Sequence, residues 1–170
     1  LTPEEERKSL YKQLDRIKEY LSCLPVHTLY LPETEADDII GWASNYFVDN
    51  KIVIISTDKD FLQLVDGRIK VYNPITKILI DEEEVLEKFG IKPKNLVLAR
   101  ALIGDSSDNV SGIKGIGFKT AIKLFPQLND DTELFPSDIV ESADEHSKEK
   151  NVSIQYQRIV ESKEAFDVNY

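Results

Sequence analysis

Gly104-Asp105-Ser106-Ser107-Asp108-Asn109-Val110-Ser111-Gly112-Ile113-Lys114-Gly115-Ile116-Gly117-Phe118-Lys119-Thr120-Ala121 is the stretch on which the reading of this chain turns. Its glycines let backbone N–H groups come close to a phosphate, and the spacing predicts a helix from about Gly117 whose positive end faces the loop. A phosphate-binding P-loop needs Gly-x-x-x-x-Gly-Lys-Ser/Thr. Here Phe118 separates Gly117 from Lys119, and no strand precedes the loop. The pattern fits a helix–hairpin–helix, with Ala121, Ile122, Leu124 and Phe125 as the packing face of the second helix. Its candidate nucleic-acid contacts are Gly112, Lys114, Gly115, Gly117, Lys119 and Thr120. The plainer alternative is a tight turn between packed helices.

Working outward, Asp105 and Asp108 are one of three carboxylate clusters; Glu35, Asp37 and Asp38 form another, Asp58 and Asp60 the third. Crowded acids repel and raise one another's pKa, so such a crowd is stable only with cations among it. Oxygen donors without nearby His or Cys suit Mg²⁺ or Mn²⁺ rather than Zn²⁺. Two ions about 3.5–4 Å apart need roughly this number of carboxylate oxygens. Each cluster also has a plain reading. Asp37 and its neighbours suit a helix N-terminus, Asp58 and Asp60 a turn with a cap, and Asp105 and Asp108 a polar turn. A phosphate-holding loop beside the carboxylates points to metal-assisted cleavage of nucleic acid.

Thr2-Pro3-Glu4-Glu5 starts a helix, with Leu10, Leu14, Ile17 and Leu21 at helical spacing to about Ser22. Val26 to Leu31 reads as a short strand. Thr34 is expected to cap a helix from Glu35 to about Val48, with Trp42 in the core. Lys51-Ile52-Val53-Ile54-Ile55-Ser56 has the pattern of a strand buried on both faces. A helical turn over 60–65 follows, then a hairpin around Asn73-Pro74. Asp81 caps a helix to about Phe89, and Pro93 opens another to about Ile103. From there turns rather than strands are expected. The last segment, 152–170, offers Tyr156, Ile159 and Val160 as a packing face. Alternating strands and helices give an α/β fold with a mainly parallel sheet. The domain reading is an α/β core over 1–85 and a helical region over 86–170.

With 31 acidic and 21 basic residues the net charge is −10, which by itself weighs against nucleic acid as a partner. The charge is uneven, however: Arg100, Lys114, Lys119 and Lys123 stand against Asp105 and Asp108, and residues 129–150 are strongly acidic. No apolar run approaches the roughly 18–20 residues of a membrane span, so no membrane partner is expected. The single cysteine, Cys23, allows no internal disulfide, fits a reducing cytoplasm, and reads as a small core residue beside Leu21 and Leu24.

Three stretches, Glu35-Ala36-Asp37-Asp38-Ile39-Ile40-Gly41, Ser56 to Val65 and Gly104 to Ala121, together resemble the 5′-nuclease family of flap endonucleases and 5′→3′ exonucleases, in its phage or bacterial branch. The resemblance covers roughly residues 29–125. It implies a PIN-like 5′-nuclease core followed by a helix–three-turn–helix over Asp105 to Phe125 that binds duplex or branched DNA with a 5′ end. It also implies two Mg²⁺ or Mn²⁺ ions, the first among Glu35, Asp37 and Asp38 and the second among Asp58, Asp60, Asp105 and Asp108. Asp38, Asp58 and Asp60 are its catalytic candidates, and K⁺ is a candidate at the helix–three-turn–helix. The family opens with an Asp-bearing strand and a basic arch that nothing ahead of Leu1 matches. The chain is therefore expected to be the later part of a longer enzyme, with the N-terminal segment supplied in cis or in trans. A non-catalytic duplex-binding fragment and a PIN-type ribonuclease are the competing readings, the latter lacking a helix–hairpin–helix.

Overall fold

Helix α1 (Pro3–Ser22) opens on a capping box: the Thr2 hydroxyl accepts from Glu5 N at 3.3 Å, and the Glu5 carboxylate accepts from Thr2 N at 2.7 Å. The computed structural model describes residues 2–106, 109–148 and 153–170. Contacts divide the chain into two units, Leu1–Ile39 and Ile40–Tyr170, the break falling inside α2 (Ala36–Tyr46).

In the first unit α1 buries no residue, and Cys23, read as core, is exposed. Residues 26–31 form no strand and are exposed throughout. An isolated extended segment has nowhere to pair its N–H and C=O groups, and the described residues offer it no partner strand. Thr34 does not cap α2: its hydroxyl donates to the Pro32 carbonyl at 3.3 Å, and the helix begins at Ala36.

The second unit holds a three-stranded sheet in the order β1 (Ile52–Ile55), β2 (Ile69–Asn73), β3 (Ile78–Ile80). β1 and β2 are parallel, with Ile54 opposite Val71. β2 and β3 are the antiparallel hairpin, with Tyr72 opposite Leu79. Asn73 closes the turn by accepting from Ile75 N at 2.9 Å and Thr76 N at 3.0 Å. Only one face of β1 is covered. Ile54 is buried, whereas Val53 and Ile55 are 55% and 70% exposed, so the run expected to be buried on both faces is half open. Trp42, also expected inside, is 58% exposed and stacks on Tyr46 instead.

Beyond the sheet, α3 (Glu82–Phe89) is capped by Asp81 with Glu84 and ended by Gly90 in the left-handed region (φ 68°). A 3₁₀ turn at Pro93–Asn95 leads into α4 (Leu96–Ile103). In place of turns alone there is then a two-residue antiparallel ribbon, β4 (Gly104–Asp105) with β5 (Val110–Ser111). α5 (Phe118–Leu124), α6 (Pro136–Ser147), α7 (Ile154–Glu161) and α8 (Lys163–Asn169) complete the unit. The sheet side keeps its own core around Phe61, Leu62, Val71 and Val85, and the helical side another around Leu98, Phe125, Ile139 and Ile159. Phe89 and Phe118 pack against both, with ring centroids 5.2 Å apart. Ala121 and Phe125 are buried in the helical core, with Ile122 and Leu124 packed against it. Tyr156 and Val160 also flank it, as their spacing requires. Asn95 is wholly buried and satisfied: it accepts from Leu134 N at 2.9 Å and donates to the Leu128 and Thr132 carbonyls.

Candidate active site and nucleic-acid interface

The carboxyl end of β1 runs into two nested turns. Ser56 Oγ accepts from Asp58 N at 3.0 Å, and Asp58 Oδ1 accepts from Asp60 N at 2.9 Å. Phe61 and Leu62 then bury themselves in the sheet core and pin the segment from the far side. The Asp58 side chain therefore orders the backbone that presents Asp60.

Asp60 meets Arg100 from α4, with Nη1 2.5 Å from Oδ1. The same guanidinium pairs through Nη2 with Asp105 on β4. One cation thus joins the turn after β1 to the ribbon that opens the glycine-rich stretch. The ribbon depends on glycine at two positions. A Cβ on Gly112 would lie 1.8 Å from Ile103 O, and one on Gly104 (φ 81°) would lie 2.2 Å from Gly112 N. The close crossing lets Ile113 N donate to Leu102 O at 2.8 Å.

The loop that follows is hung on two buried side chains, Ile113 and Ile116, with Ile116 N donating to Ile113 O at 3.1 Å. Between them Lys114 and Gly115 face solvent, Gly115 with φ 87°. Ala121 N donates to Gly117 O at 2.8 Å as α5 begins, leaving Lys119 exposed on its first turn. Arg158 of α7 donates to the Lys114 carbonyl at 2.8 Å, so the C-terminal helices brace the hairpin.

Of the acids singled out in the sequence, the structure brings Asp60 and Asp105 together, with Asp58 alongside through the backbone. Glu35, Asp37 and Asp38 lie in the first unit at the opening of α2 and are exposed; Asp37 Oδ1 accepts from Asp38 N at 3.2 Å. Asp108 lies outside the described residues. Among the described residues no three acidic, His or Cys side chains gather closely enough to hold a metal. The donor chemistry nevertheless suits a hard cation, since Asp60 and Asp105 supply only oxygen and already bracket one positive charge. Sequence reasoning missed the roles of Arg100 and Arg158. Arg100 is the lone charge in the apolar helix Leu96–Ile103, a signal that was available. Arg158 carries no local signal at all.

Known proteins place this architecture. The N-terminal resolvase-like domain of 5′-3′ exonucleases matches residues 3–90, just over half of the chain. A 5′-3′ exonuclease of Aquifex aeolicus is 42% identical over 114 residues, covering 66% of this chain and 39% of that protein. One of Buchnera aphidicola is 36% identical over 148 residues, covering 86% and 52%. The chain thus spans about half the length, or less, of these curated relatives. Among solved structures, the bacteriophage T5 D15 flap endonuclease in a pseudo-enzyme–product complex with DNA and metal ions superposes with a TM-score of 0.76. That match is at 19% identity and covers 99% of this chain and 60% of that one, a likeness of fold. The chain belongs to the 5′-3′ exonuclease family.

Proposed function

We propose that this chain is part of a metal-dependent, structure-specific 5′→3′ exonuclease or flap endonuclease. Its substrate would be the phosphodiesters of DNA, or of RNA annealed to DNA, as in primer removal during replication. The observation that carries the reading is the bridge from Asp60 through Arg100 to Asp105, which ties the carboxylate turn to the hairpin with exposed Lys114 and Lys119. Kinship with 5′-3′ exonucleases and a fold shared with a flap endonuclease solved with DNA and metal ions support it.

Asp58, Asp60, Asp105 and Asp108 would hold one Mg²⁺ or Mn²⁺, and Glu35, Asp37 and Asp38 a second. When bound, such ions activate water and stabilise the charge developing on phosphorus. The protein's own part is positional. The nested turns at Ser56–Asp60 fix one carboxylate, the ribbon fixes the other, and the hairpin's lysines and backbone N–H groups take the phosphates of the duplex. A K⁺ held by hairpin carbonyls belongs to the same reading, and replacing K⁺ by Na⁺ in duplex-binding assays tests it.

The test of activity is a 5′-labelled flap duplex with Mg²⁺ or Mn²⁺. Short labelled products that vanish in chelator and in Asp60→Asn support the reading, and retained cleavage in Asp60→Asn refutes the site. A second reading, a duplex-binding element without catalysis, rests on the exposed Lys114 and Lys119 of the braced hairpin, which need no metal to hold a phosphate backbone. Tight, salt-sensitive duplex binding with no cleavage in any divalent metal would establish it.

A further inference from the structure

Arg100 is costly where it stands. It is the only charged residue of α4, a helix that buries Leu96, Leu98, Ala99, Ala101 and Leu102, and its own side chain is 27% exposed. A guanidinium cannot shed its proton to escape that setting. It is compensated by Asp60 and Asp105, one on each arm of the fork. Those two carboxylates come from separate parts of the chain and would repel if left alone. The guanidinium therefore sits where the function proposed above requires a divalent cation, and Arg has no lone pair with which to join a coordination shell. Open space adjoins it. Arg100 lines a cleft of about 230 Å³ with Lys59, Phe89 and Phe118, and a second of about 330 Å³ with Gln63 and Val110. Asp105 lines both clefts and Asp60 the second, so the guanidinium can swing off one carboxylate while staying beside the other.

We propose that Arg100 is a tethered counter-cation. It holds Asp60 and Asp105 together in the metal-free protein, surrenders at least one of them when a divalent ion enters, and so sets the metal affinity of the site. The proposal rests on the reading that these carboxylates ligate metal. It makes Arg100 a positioning residue whose removal should strengthen metal binding while weakening the metal-free fold. A residue of purely structural importance would weaken both.

The experiment titrates Mn²⁺ alone into the 170-residue chain, with free Mn²⁺ read from its paramagnetic resonance signal and melting followed in chelator. For Arg100→Gln we expect a lower metal-free Tm and Mn²⁺ affinity higher by a factor on the order of three to ten, the worth of the partly exposed pairs removed. Arg100→Lys keeps the charge but cannot fork onto two carboxylates, so its affinity should fall between the two; it decides the matter if Arg100→Gln does not fold. Wild-type Mn²⁺ binding with no tightening in either folded variant overturns this inference alone. No Mn²⁺ binding by the wild type overturns both this inference and the metal site under it.

Discussion

The glycines of the hairpin can be ranked by what a side chain would meet, and the ranking tests whether the ribbon positions Asp105. In Gly112→Ala the new Cβ lies 1.8 Å from Ile103 O, 2.0 Å from Ile103 C and 2.5 Å from Gly104 N. Ordinary contact is about 3.5 Å or more, so the strands must part by well over an ångström, and all three obstacles are backbone. Ordinary overpacking costs about 1–3 kcal/mol, and a rigid clash of this kind belongs at or above the top of that range, about 3 kcal/mol. In a domain of this size that is a fall in Tm of roughly 6–12 °C. Gly115→Ala meets only side-chain ends, Arg158 Nη1 at 3.2 Å and Gln155 Nε2 at 3.8 Å, but φ is 87°, so left-handed strain of about 1–2 kcal/mol sets its cost. Gly117→Ser has nothing within 4 Å and caps α5 from extended backbone (φ −123°), so it should be neutral or stabilising by up to about 1 kcal/mol. Urea unfolding followed by circular dichroism gives the three values. If Gly112→Ala unfolds within about 0.5 kcal/mol of wild type, the Gly104–Gly112 crossing does not hold the ribbon and the reasoning fails.

Lys119→Ala should weaken duplex binding about equally across sequences and lower the salt slope by about one unit, because the proposed contact is to phosphate; unchanged affinity in a folded variant would reduce the loop to a turn. Tm in millimolar Mg²⁺ should exceed that in chelator, and Asp58→Asn or Asp38→Asn should shrink the difference; equal values in both buffers would count against the carboxylate site. A hydrogen bond shared with the Glu84 carboxyl, and the Lys70 ammonium 2.8 Å away, hold Asp81 well below the usual carboxylate range. Its contribution is therefore present above the unfolded pKa of about 3.9 and lost as pH falls toward the folded value, so the stability gap between wild type and Asp81→Asn should narrow below about pH 4, and a gap independent of pH would refute the assignment.

Features set by short-range chemistry were legible in the sequence. Thr2 with Glu5, Asp81 with Glu84, and Asn73 in its hairpin act through partners within four residues, and each stands where its pattern implied. Features set by what lies across a surface were not. Val53 and Ile55 have the composition of buried strand residues, but burial needs a covering layer, and composition cannot say whether one is there. Residues 26–31 failed as a strand for the same reason, since extended propensity without a pairing edge leaves coil. The candidate site divides along this line. Asp58 and Asp60 follow from the strand before them, while the Arg100 bridge joins residues 45 apart in sequence, from Asp60 to Asp105.

The net charge of −10 argues against a polyanionic partner only if every charge counts alike, and the ion pairs show that they do not. Lys70 is taken by Asp81, Lys92 by Asp131, Lys148 by Asp144, and Arg100 by Asp60 and Asp105. Among the described residues Lys114, Lys119 and Lys123 have no carboxylate within 4.0 Å. Beyond a screening length of about 8–10 Å the remaining surface acids matter little at physiological salt. A phosphate backbone docked at the hairpin, as proposed, would therefore meet lysines not already bound to acids, on a loop held by Ile113, Ile116 and Arg158. Under the proposed function, Asp60 and Asp105 would meet it from behind a positive charge, that of Arg100 or of a divalent ion.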